Sequence, residues 1–369
     1  MKYRLVELLR CVRCEGGLAV TVQETRPAPL IGDRRFVCRE RCARMGTALG
    51  ADTAACEECA GVEIISGSLT CADCHATYPI LGGVPWLFAQ APDADERTAA
   101  TVQVYSHLWN QLYPASDSGL NHLDPMERAL KAPVVRGAIG LEAGSGTGAD
   151  TARMAGRHPD VELISLDLSE GVYQTYKRTE GLPNVHVIRG SVLAVPLRDG
   201  SCDFVYSFGV LHHTTDPDQG LRELVRVLKP NGRLSLYLYE DHEDNPWKRW
   251  PLKPVTAVRR LTIKLPTTLL SGLCWLLSPL VVLLFSWPAH AMSRFRATRP
   301  IADAMPFNFG TSPFSVHGDL LDRLGAPIEV RYSRQGVIEM LKQGDLTDID
   351  ITKLHAAAGW VAQANRPAA

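Results

Sequence analysis

The sequence lacks an excess of either charge. Its 39 Lys and Arg residues are balanced by 40 Asp and Glu residues, which gives a formal net charge of -1 over 369 residues. A protein that binds nucleic acid usually carries a basic domain or a basic stripe. No such region dominates this sequence, and we therefore expect no nucleic acid among its partners.

A secretory signal peptide is also missing, because no apolar core follows Lys2 and Arg4 before Cys11. We therefore expect a cytoplasmic location, where disulfides are rare. Internal repeats and low-complexity tracts are absent as well. A globular chain of this length has room for two or three domains, at about 150 residues each.

Cysteines are concentrated near the N-terminus, where eight of the ten lie between Cys11 and Cys74. In a reducing compartment this clustering indicates metal binding. The cysteines form four pairs with the spacing of zinc knuckles: Cys11 with Cys14, Cys38 with Cys42, Cys56 with Cys59, and Cys71 with Cys74. Two such pairs supply four thiolates to a closed tetrahedral site, which folds a module and leaves no position for a substrate. A set of unligated buried thiols is the alternative.

Residues 68–87, with the run Tyr78-Pro79-Ile80-Leu81-Gly82-Gly83, resemble the zinc ribbon of small proteins that partner tRNA and protein methyltransferases. The same ribbon occurs ahead of bacterial methyltransferase domains, and residues 8–14 resemble its first knuckle. The resemblance implies one zinc shared by Cys11, Cys14, Cys71 and Cys74. The two middle pairs depart from the usual ribbon, and we expect them to hold a second zinc. Spacing alone leaves the pairing open, with His75 as a substitute ligand.

Between residues 137 and 239, short β-rich runs alternate with helical patterns, which is typical of a parallel α/β sheet. Strands are predicted at residues 138–142, 163–167, 185–189, 202–207 and 234–239. The rhythm stops over residues 241–330 and resumes with a helix at 335–343 and strands at 348–352 and 360–363.

A Gly-rich turn containing Gly144, Gly146 and Gly148 follows the first of these strands. Glycines allow the backbone to turn tightly and to approach a nucleotide closely. Gly144, Gly146 and Ala149 also satisfy a relaxed dinucleotide fingerprint, so a nicotinamide enzyme and a plain structural turn are alternatives. Asp167 ends the next strand, where a carboxylate accepts hydrogen bonds from ribose hydroxyls.

Further motifs follow in order at residues 189–197, 202–213 and 223–234. As a series, residues 137–240 closely resemble class I S-adenosylmethionine (SAM) methyltransferases, in the type 11 branch that includes quinone methyltransferases. The resemblance implies that the SAM site contains Glu142, Gly144, Ser145, Gly146 and Gly148 below the methionine, Asp167 and Leu168 at the ribose and adenine, Ser191 and Val192 at the adenine edge, and Ser207, Phe208 and His212 near the methyl group. Family members usually have Asp where Ser191 stands, and a serine accepts the bond from the adenine amine more weakly. Residues 105–109 resemble an aromatic segment that covers the cofactor.

Methyl transfer from a sulfonium mainly requires that the nucleophile be positioned. A base is needed only where the nucleophile must lose a proton. The sequence identifies no single catalytic residue; His212 and His213 are the weak candidates, and further acid–base groups are Glu240, Asp241, His242 and His317. His213 also fits the role of a loop anchor.

Residues 265–289 carry no formal charge and are rich in Leu, Val and Trp. The length suffices for a membrane span, which needs about 20 apolar residues. A single crossing conflicts with the return of the later strands to the same sheet, and Pro266, Pro279 and Pro288 interrupt the stretch. We expect a short helical pair beside the active-site mouth. It is an ordinary buried pair, a lid over an apolar substrate, or, given the basic residues on both flanks, a peripheral membrane contact.

The predicted chain has a zinc-ribbon module over residues 1–90, a helical connector and cofactor cover over 91–136, and a methyltransferase domain over 137–369. Its fold class is α/β, a doubly wound Rossmann-like sheet with the apolar helical insertion at 241–330 before the last strands. The predicted function is SAM-dependent methyl transfer to an unidentified, lipophilic small molecule. The alternatives are a protein or RNA substrate docked by the zinc module, and a non-catalytic scaffold.

Overall fold

A computed structural model describes residues 1–28, 36–49, 54–91, 94–112, 136–243, 246–307, 313–354 and 359–368. Much of the connector predicted over residues 91–136 therefore lies outside the described residues. The described strands are β1 (Leu18–Pro27), β2 (Val62–Cys71), β3 (Thr77–Leu81), β4 (Val84–Leu87), β5 (Ile139–Ala143), β6 (Glu162–Asp167), β7 (Val185–Gly190), β8 (Cys202–Phe208), β9 (Leu228–Tyr239), β10 (Thr347–Leu354) and β11 (Gly359–Asn365).

Helices surround these strands. The described α-helices are α1 (Tyr3–Leu8), α2 (Ala54–Ala60), α3 (Glu96–His107), α4 (Ala149–Arg157), α5 (Val172–Thr179), α6 (Pro217–Val227), α7 (Pro246–Thr262), α8 (Thr267–Val281), α9 (Trp287–Ser293), α10 (Arg299–Ala304), α11 (Pro313–Gly325) and α12 (Arg334–Gln343). Wider π-helical segments follow α3 and α8, at Leu108–Leu112 and Val282–Ser286, and a 3-10 turn spans Leu211–His213.

The strands form one sheet in the order β1-β2-β3-β4-β7-β6-β5-β8-β9-β11-β10. Strands β5 to β9 pair in parallel, while β11 is antiparallel to β9 and to β10. Every residue of β5 and β6 is buried, as expected for parallel strands covered on both faces. The doubly wound α/β fold predicted from the sequence is confirmed.

The alternation of side chains along each strand separates two hydrophobic cores. In β6, Leu163 packs with Met154 of α4 and Val172 of α5 on one face. The next residue, Ile164, belongs to the core that contains residues of α6 and α12 on the other face. Helices therefore cover both faces of the sheet, and the carboxyl ends of the parallel strands share one edge.

The zinc-ribbon module predicted over residues 1–90 shares this sheet. Strand β4 pairs in parallel with β7, with Trp86 opposite Arg189 and Leu87 opposite Gly190. Its apolar residues, among them Leu5 and Leu69, lie in the same hydrophobic core as Leu166 of β6. Pairing with β4 also satisfies the backbone groups that β7 would otherwise leave open at the sheet edge.

The structure of the apolar insertion differs from the prediction. The short helical pair predicted for residues 265–289 is wrong. Residues Thr267–Ser293 form one continuous helical run of 27 residues that is long and apolar enough to cross a membrane. The wider π-helical segment begins three residues after Pro279, and Pro288 lies in the first turn of α9. A proline inside a helix lacks the N–H for one helical hydrogen bond, and π-helical turns occur mostly as single turns inside α-helices. The helical run nevertheless continues through both prolines.

Candidate functional site

The Gly-rich turn that follows β5 has a backbone conformation that favours glycine. Gly144, Gly146 and Gly148 have φ angles of 95°, 54° and 74°. A Cβ atom at Gly144 would lie 2.0 Å from Cγ2 of Val210, and one at Gly148 would lie 2.6 Å from Cα of Thr175. The turn is thus closely packed on its outer side and presents bare backbone to the pocket described below.

Asp167, at the end of β6, is tied to this turn. One carboxylate oxygen accepts a hydrogen bond from the Gly146 N–H at 2.8 Å, and the other accepts from the N–H and hydroxyl of Ser169 at 2.8 and 2.6 Å. Burial raises the pKa of Asp167, although these hydrogen bonds oppose the shift. The carboxylate therefore holds the turn against β6 while it faces the pocket.

A pocket lies where the carboxyl ends of β5, β6, β7 and β8 meet. Its wall includes seven of the residues predicted for the SAM site: Gly144, Gly146, Asp167, Leu168, Ser191, Val192 and Phe208. Crevices at this edge are the usual ligand sites of open α/β sheets. The hydroxyl of Ser191 accepts a hydrogen bond from the Leu193 N–H at 3.1 Å, which orients it at the pocket wall.

Five predicted residues lie behind the pocket wall, and four of them, Glu142, Ser145, Gly148 and Ser207, lie around the Gly-rich turn. The Glu142 carboxylate accepts a hydrogen bond from the Thr151 hydroxyl, and burial raises its pKa to about 8. Ser145 is bonded to the Thr175 hydroxyl at 3.1 Å, and the Ser207 hydroxyl donates to the Ala143 carbonyl at 2.8 Å. Gly148 caps α4. These residues support the turn from below.

Helix α3 and the π-helical segment after it cover the pocket. Tyr105 and Trp109, in the predicted aromatic segment, line it, and their rings stack at a centroid distance of 6.1 Å. The Ser106 hydroxyl accepts a hydrogen bond from the Glu170 N–H at 3.0 Å, which anchors this cover. Sequence reasoning missed several wall residues: Thr98, Thr101, Val102, Leu166, Ser169, Gly190, Leu193, Gly209, Val210, Thr214 and Thr215. Some of these residues lie within or beside the motifs at residues 189–197 and 202–213. No sequence motif indicated which face of α3 meets the pocket.

Among the histidines, the structure brings His213 to the pocket and leaves His212 behind it. The carbonyl of Ile328 lies 2.7 Å from Nδ1 of His213. Because a carbonyl only accepts, Nδ1 carries the proton, and Nε2 of the neutral ring is an acceptor. His212 is fully buried against the Tyr239 ring at 4.0 Å, and burial places its pKa well below the usual value. His212 therefore lies outside the pocket wall, and its predicted place near the reacting methyl group stays a prediction.

The remaining acid–base candidates have structural partners away from the pocket. Glu240 pairs with His242 and, at 2.7 Å, with Lys353. His317 bonds to the Ser271 hydroxyl at 3.1 Å, within the insertion. Asp241 accepts a hydrogen bond from the Glu243 N–H at 3.0 Å.

A candidate metal centre lies in the N-terminal module. The thiol sulfurs of Cys11, Cys14, Cys71 and Cys74 all lie within 4.8 Å of one another. Sγ of Cys11 is 3.6 Å from that of Cys74, and Sγ of Cys14 is 3.4 Å from that of Cys71. A tetrahedral zinc site with Zn–S bonds of about 2.3 Å has sulfurs about 3.8 Å apart. The donor set and its spacing fit zinc.

The four middle cysteines, Cys38, Cys42, Cys56 and Cys59, are all buried. Cys42 lies close enough to Cys38 and to Cys59 to interact with both electrostatically. Within the part of the chain that the structure describes, their sulfurs do not form a second cluster as tight as the first. The second zinc stays a prediction.

Comparison with known families matches two segments of the chain. Residues 2–83 match the family described as Trm112p-like protein, and residues 141–236 match the family described as methyltransferase domain. The chain carries a methyltransferase domain behind a Trm112p-like domain. The methyltransferase domain contains the Gly-rich turn and Asp167, and the Trm112p-like domain contains the four-cysteine cluster. The resemblance inferred from the sequence is confirmed at this level.

Individual relatives share about a third of the chain with it. An uncharacterised 37.1 kDa protein in transposon TN4556 of Streptomyces fradiae is 40% identical over 120 residues, which cover 32% of this chain and 34% of that protein. An uncharacterised methyltransferase-like protein of Schizosaccharomyces pombe is 36% identical over 107 residues, which cover 29% and 40%. The demethylmenaquinone methyltransferase of Renibacterium salmoninarum is 35% identical over 97 residues, which cover 26% and 38%. The chain thus spans well under half the length of these relatives.

Proposed function

We propose that the methyltransferase domain transfers the methyl group of SAM to a lipophilic small molecule. The observation that carries this proposal is the pocket itself. It joins a Gly-rich turn of positive φ, a buried carboxylate at Asp167 and an aromatic cover from α3 at the carboxyl edge of a parallel sheet. The match of residues 141–236 to a methyltransferase domain supports the same reading.

The pocket residues fit SAM by their chemistry. A carboxylate offers about four lone-pair positions, and Asp167 spends three on its own chain, so it retains capacity for a ribose hydroxyl. The bare backbone at Gly144 and Gly146 accommodates the methionine part, and Leu168 and Val192 supply apolar contact for the adenine. When bound, SAM supplies an electrophilic methyl group on a sulfonium.

His213 is the residue that we propose for proton transfer. Its Nδ1–H is committed to the Ile328 carbonyl, so Nε2 is the ring nitrogen left to accept a proton, in a residue of the pocket wall. An acceptor that is methylated at a hydroxyl group must lose the hydroxyl proton, and Nε2 would receive that proton. The ring is held by edge contacts with Tyr105 and Tyr239, at centroid distances of 5.3 and 5.5 Å.

The Trm112p-like domain serves, in this proposal, as a zinc-stabilised extension of the sheet. Cys11, Cys14, Cys71 and Cys74 would hold the ion, which fills a closed structural site. The reduced thiols that this requires agree with a cytoplasmic location, which we propose on that ground.

A protein or RNA substrate is the second candidate function. The Trm112p-like match favours it, because the module resembles small zinc-ribbon proteins that partner tRNA and protein methyltransferases. Such a module would act as a docking arm for a macromolecule. Strand β4 is, however, occupied by pairing with β7 of the same chain. Labelled SAM incubated with whole-cell extract distinguishes the candidates: the first puts label in the organic-solvent phase, and the second puts it in precipitated protein or RNA.

Calorimetric titration with SAM tests the proposed cofactor. We expect binding by the wild type and its loss in Asp167→Ala, with unchanged binding in Glu339→Ala, which removes an exposed carboxylate on α12. Binding of NAD in place of SAM would refute the proposal and support the nicotinamide alternative. Failure to bind either cofactor would support a non-catalytic scaffold.

A further inference from the structure

The helical run Thr267–Ser293 has its apolar side chains on the outside. Eight of its residues are buried, and six of these are Ser, Thr, Cys or Ala: Thr267, Ser271, Cys274, Ser278, Ser286 and Ala289. Its exposed large apolar residues are Leu269, Leu273, Trp275, Leu276, Leu277, Leu280, Leu283, Leu284 and Trp287, and His290 near its end is the exposed polar side chain of comparable size. A surface helix in water has the opposite pattern, with its apolar stripe against the core.

The exposed residues form one continuous face. All of them except Trp275 are linked by steps of three or four positions between Leu269 and Trp287, which places them on the same side of the run. Leu276 is 66% exposed, and Trp287 is 57% exposed. A contiguous apolar surface of this size is rare on a soluble monomer and marks a contact with a partner or a membrane. We call it the outer face.

Small residues on the inner side allow close packing against the rest of the protein. Near the start of the run, Leu270 and Cys274 pack with Val316 and Leu320 of α11. Further along, the Ser286 hydroxyl donates to the Phe307 carbonyl at 2.7 Å. Helix α9 then packs against α10. Protein therefore lies along one side of the run over its whole length.

This one-sided cover decides between a span and a helix lying in the membrane surface. A span would place α10, with its exposed Arg299 and Asp303, inside the hydrocarbon, where charged groups are costly. A helix in the interface plane keeps its inner side on the protein and buries its outer face among acyl chains. The geometry fits the second arrangement.

The ends of the run carry cations that suit anionic headgroups. Arg260 and Lys264 precede it, and Arg294, Arg296 and Arg299 follow it, all exposed. Arg259, in contrast, is committed to the protein through Glu329 at 2.8 Å. Basic residues beside a membrane surface are attracted by the negative potential of anionic lipids.

We propose that the outer face docks on an anionic lipid bilayer, with the run Thr267–Ser293 lying in the plane of the interface. The docked protein holds its pocket one helix away from the lipid. Val104 and Leu108 pack against Leu270 and Cys274, while Thr101 and Tyr105 of the same α3 line the pocket. A membrane-dissolved acceptor therefore has a short path to the site, and this last clause rests on the proposed methyl transfer.

Flotation of the full chain with vesicles tests the docking. The vesicles contain phosphatidylcholine with about one-third phosphatidylglycerol, or phosphatidylcholine alone. We expect flotation with the anionic vesicles and much weaker flotation with the neutral ones. The triple variant Leu276→Gln, Leu280→Gln, Leu284→Gln should lose flotation, whereas Leu81→Gln, at an exposed leucine of the ribbon, should float like the wild type.

The cations are tested by Arg294→Ala with Arg296→Ala. At about 1 kcal/mol per cation, their loss should lower the partition coefficient on the order of thirty-fold. The matched control is Arg136→Ala, at a side chain that is 86% exposed outside the insertion. Equal affinity for neutral and anionic vesicles would overturn the charge complementarity on which the proposal depends.

Three further outcomes would overturn the docking. A lipid-free dimer that becomes a monomer in the triple variant would make a second copy the occupant of the outer face. Extraction by detergent alone, with proteases reaching residues 260 and 296 from opposite sides, would establish a span. If the folded wild type fails to float with the anionic vesicles, a lipid bilayer is not the partner of the outer face. Because flotation needs no SAM, its failure is distinct from failure of SAM binding, which bears on the proposed function.

Discussion

Nε of Arg4 donates a hydrogen bond to Oε1 of Glu162 at 2.8 Å, so the first helix of the Trm112p-like domain and a central strand of the methyltransferase domain share an ion pair. Both side chains are buried, with exposed fractions of 3% and 0%. The same carboxylate is bonded to Nε2 of His186 at 3.1 Å, and Arg39 reaches it from the ribbon at 3.1 Å. The two domains are joined by the buried ion pairs of Glu162 as well as by strand pairing.

We expect Arg4→Met to destabilise the whole protein by about 3–5 kcal/mol, because it leaves the Glu162 charge buried without its main cation. Urea denaturation measures the loss. The control is Arg222→Met, at an arginine that is 59% exposed, where a change within about 0.5 kcal/mol is expected. If the two variants lose the same stability, the buried pair does not couple the domains.

The pH dependence of stability should report the same carboxylate. Burial alone would raise the pKa of Glu162, but His186 and Arg4 outweigh it and lower the pKa to about 2. A free Glu titrates at about 4.3, so the contribution of Glu162 is complete above that pH and is lost as the pH falls toward 2. The difference in unfolding free energy between wild type and Glu162→Gln should therefore be constant from neutral pH to about pH 5 and shrink between about pH 4 and pH 2. A constant difference would contradict this assignment.

Metal analysis should find one or two zinc ions per chain. Cys14→Ser with Cys74→Ser should remove one ion, because these residues belong to the tight cluster. Cys38→Ser with Cys56→Ser should remove the second ion if the middle cysteines bind one. We expect chelation to lower the melting temperature, since a structural zinc contributes folding free energy. A metal-free protein with unchanged melting would refute the metal centre.

Gly146→Val should abolish SAM binding and leave the zinc content unchanged. Gly146 has a φ of 54°, and its Cβ would lie 3.1 Å from Cε2 of Trp109. A β-branched residue in that conformation costs about 1–3 kcal/mol, and the side chain would also fill the pocket wall. Gly156→Val introduces the same side chain where nothing lies within 4 Å of the new Cβ, and should bind SAM normally. Normal titration of Gly146→Val would show that the turn is misassigned.

His213→Gln tests the proton-transfer role. Glutamine retains an N–H donor for the Ile328 carbonyl but removes the base. With a hydroxyl acceptor, we expect kcat to fall by about 10²–10⁴, with SAM affinity unchanged. The assay follows labelled methyl transfer to a lipid extract, and His158→Gln, at the end of α4, is the matched control. Loss of stability without loss of rate would assign His213 as a loop anchor.

Parts of the site were predictable because their signals are local. A positive φ requires glycine wherever it occurs, so the turn at Gly144 and Gly146 is visible in the sequence. A carboxylate at the end of an apolar parallel strand lies where the carboxyl ends of the strands meet. This rule predicted the position of Asp167. The position of His212 was not predictable, since two adjacent histidines in a short 3-10 turn differ only in which way each ring points.

The sequence by itself determined the α/β class, the cysteine cluster and the Gly-rich turn, because periodicity, spacing and backbone preference act over a few residues. Only the tertiary structure decided that β4 pairs with β7 and which face of α3 meets the pocket. It also decided that the run Thr267–Ser293 turns its leucines outward. These features depend on contacts between residues far apart in the chain. An apolar helix reads the same from its sequence whether lipid or protein covers it, since both remove its side chains from water.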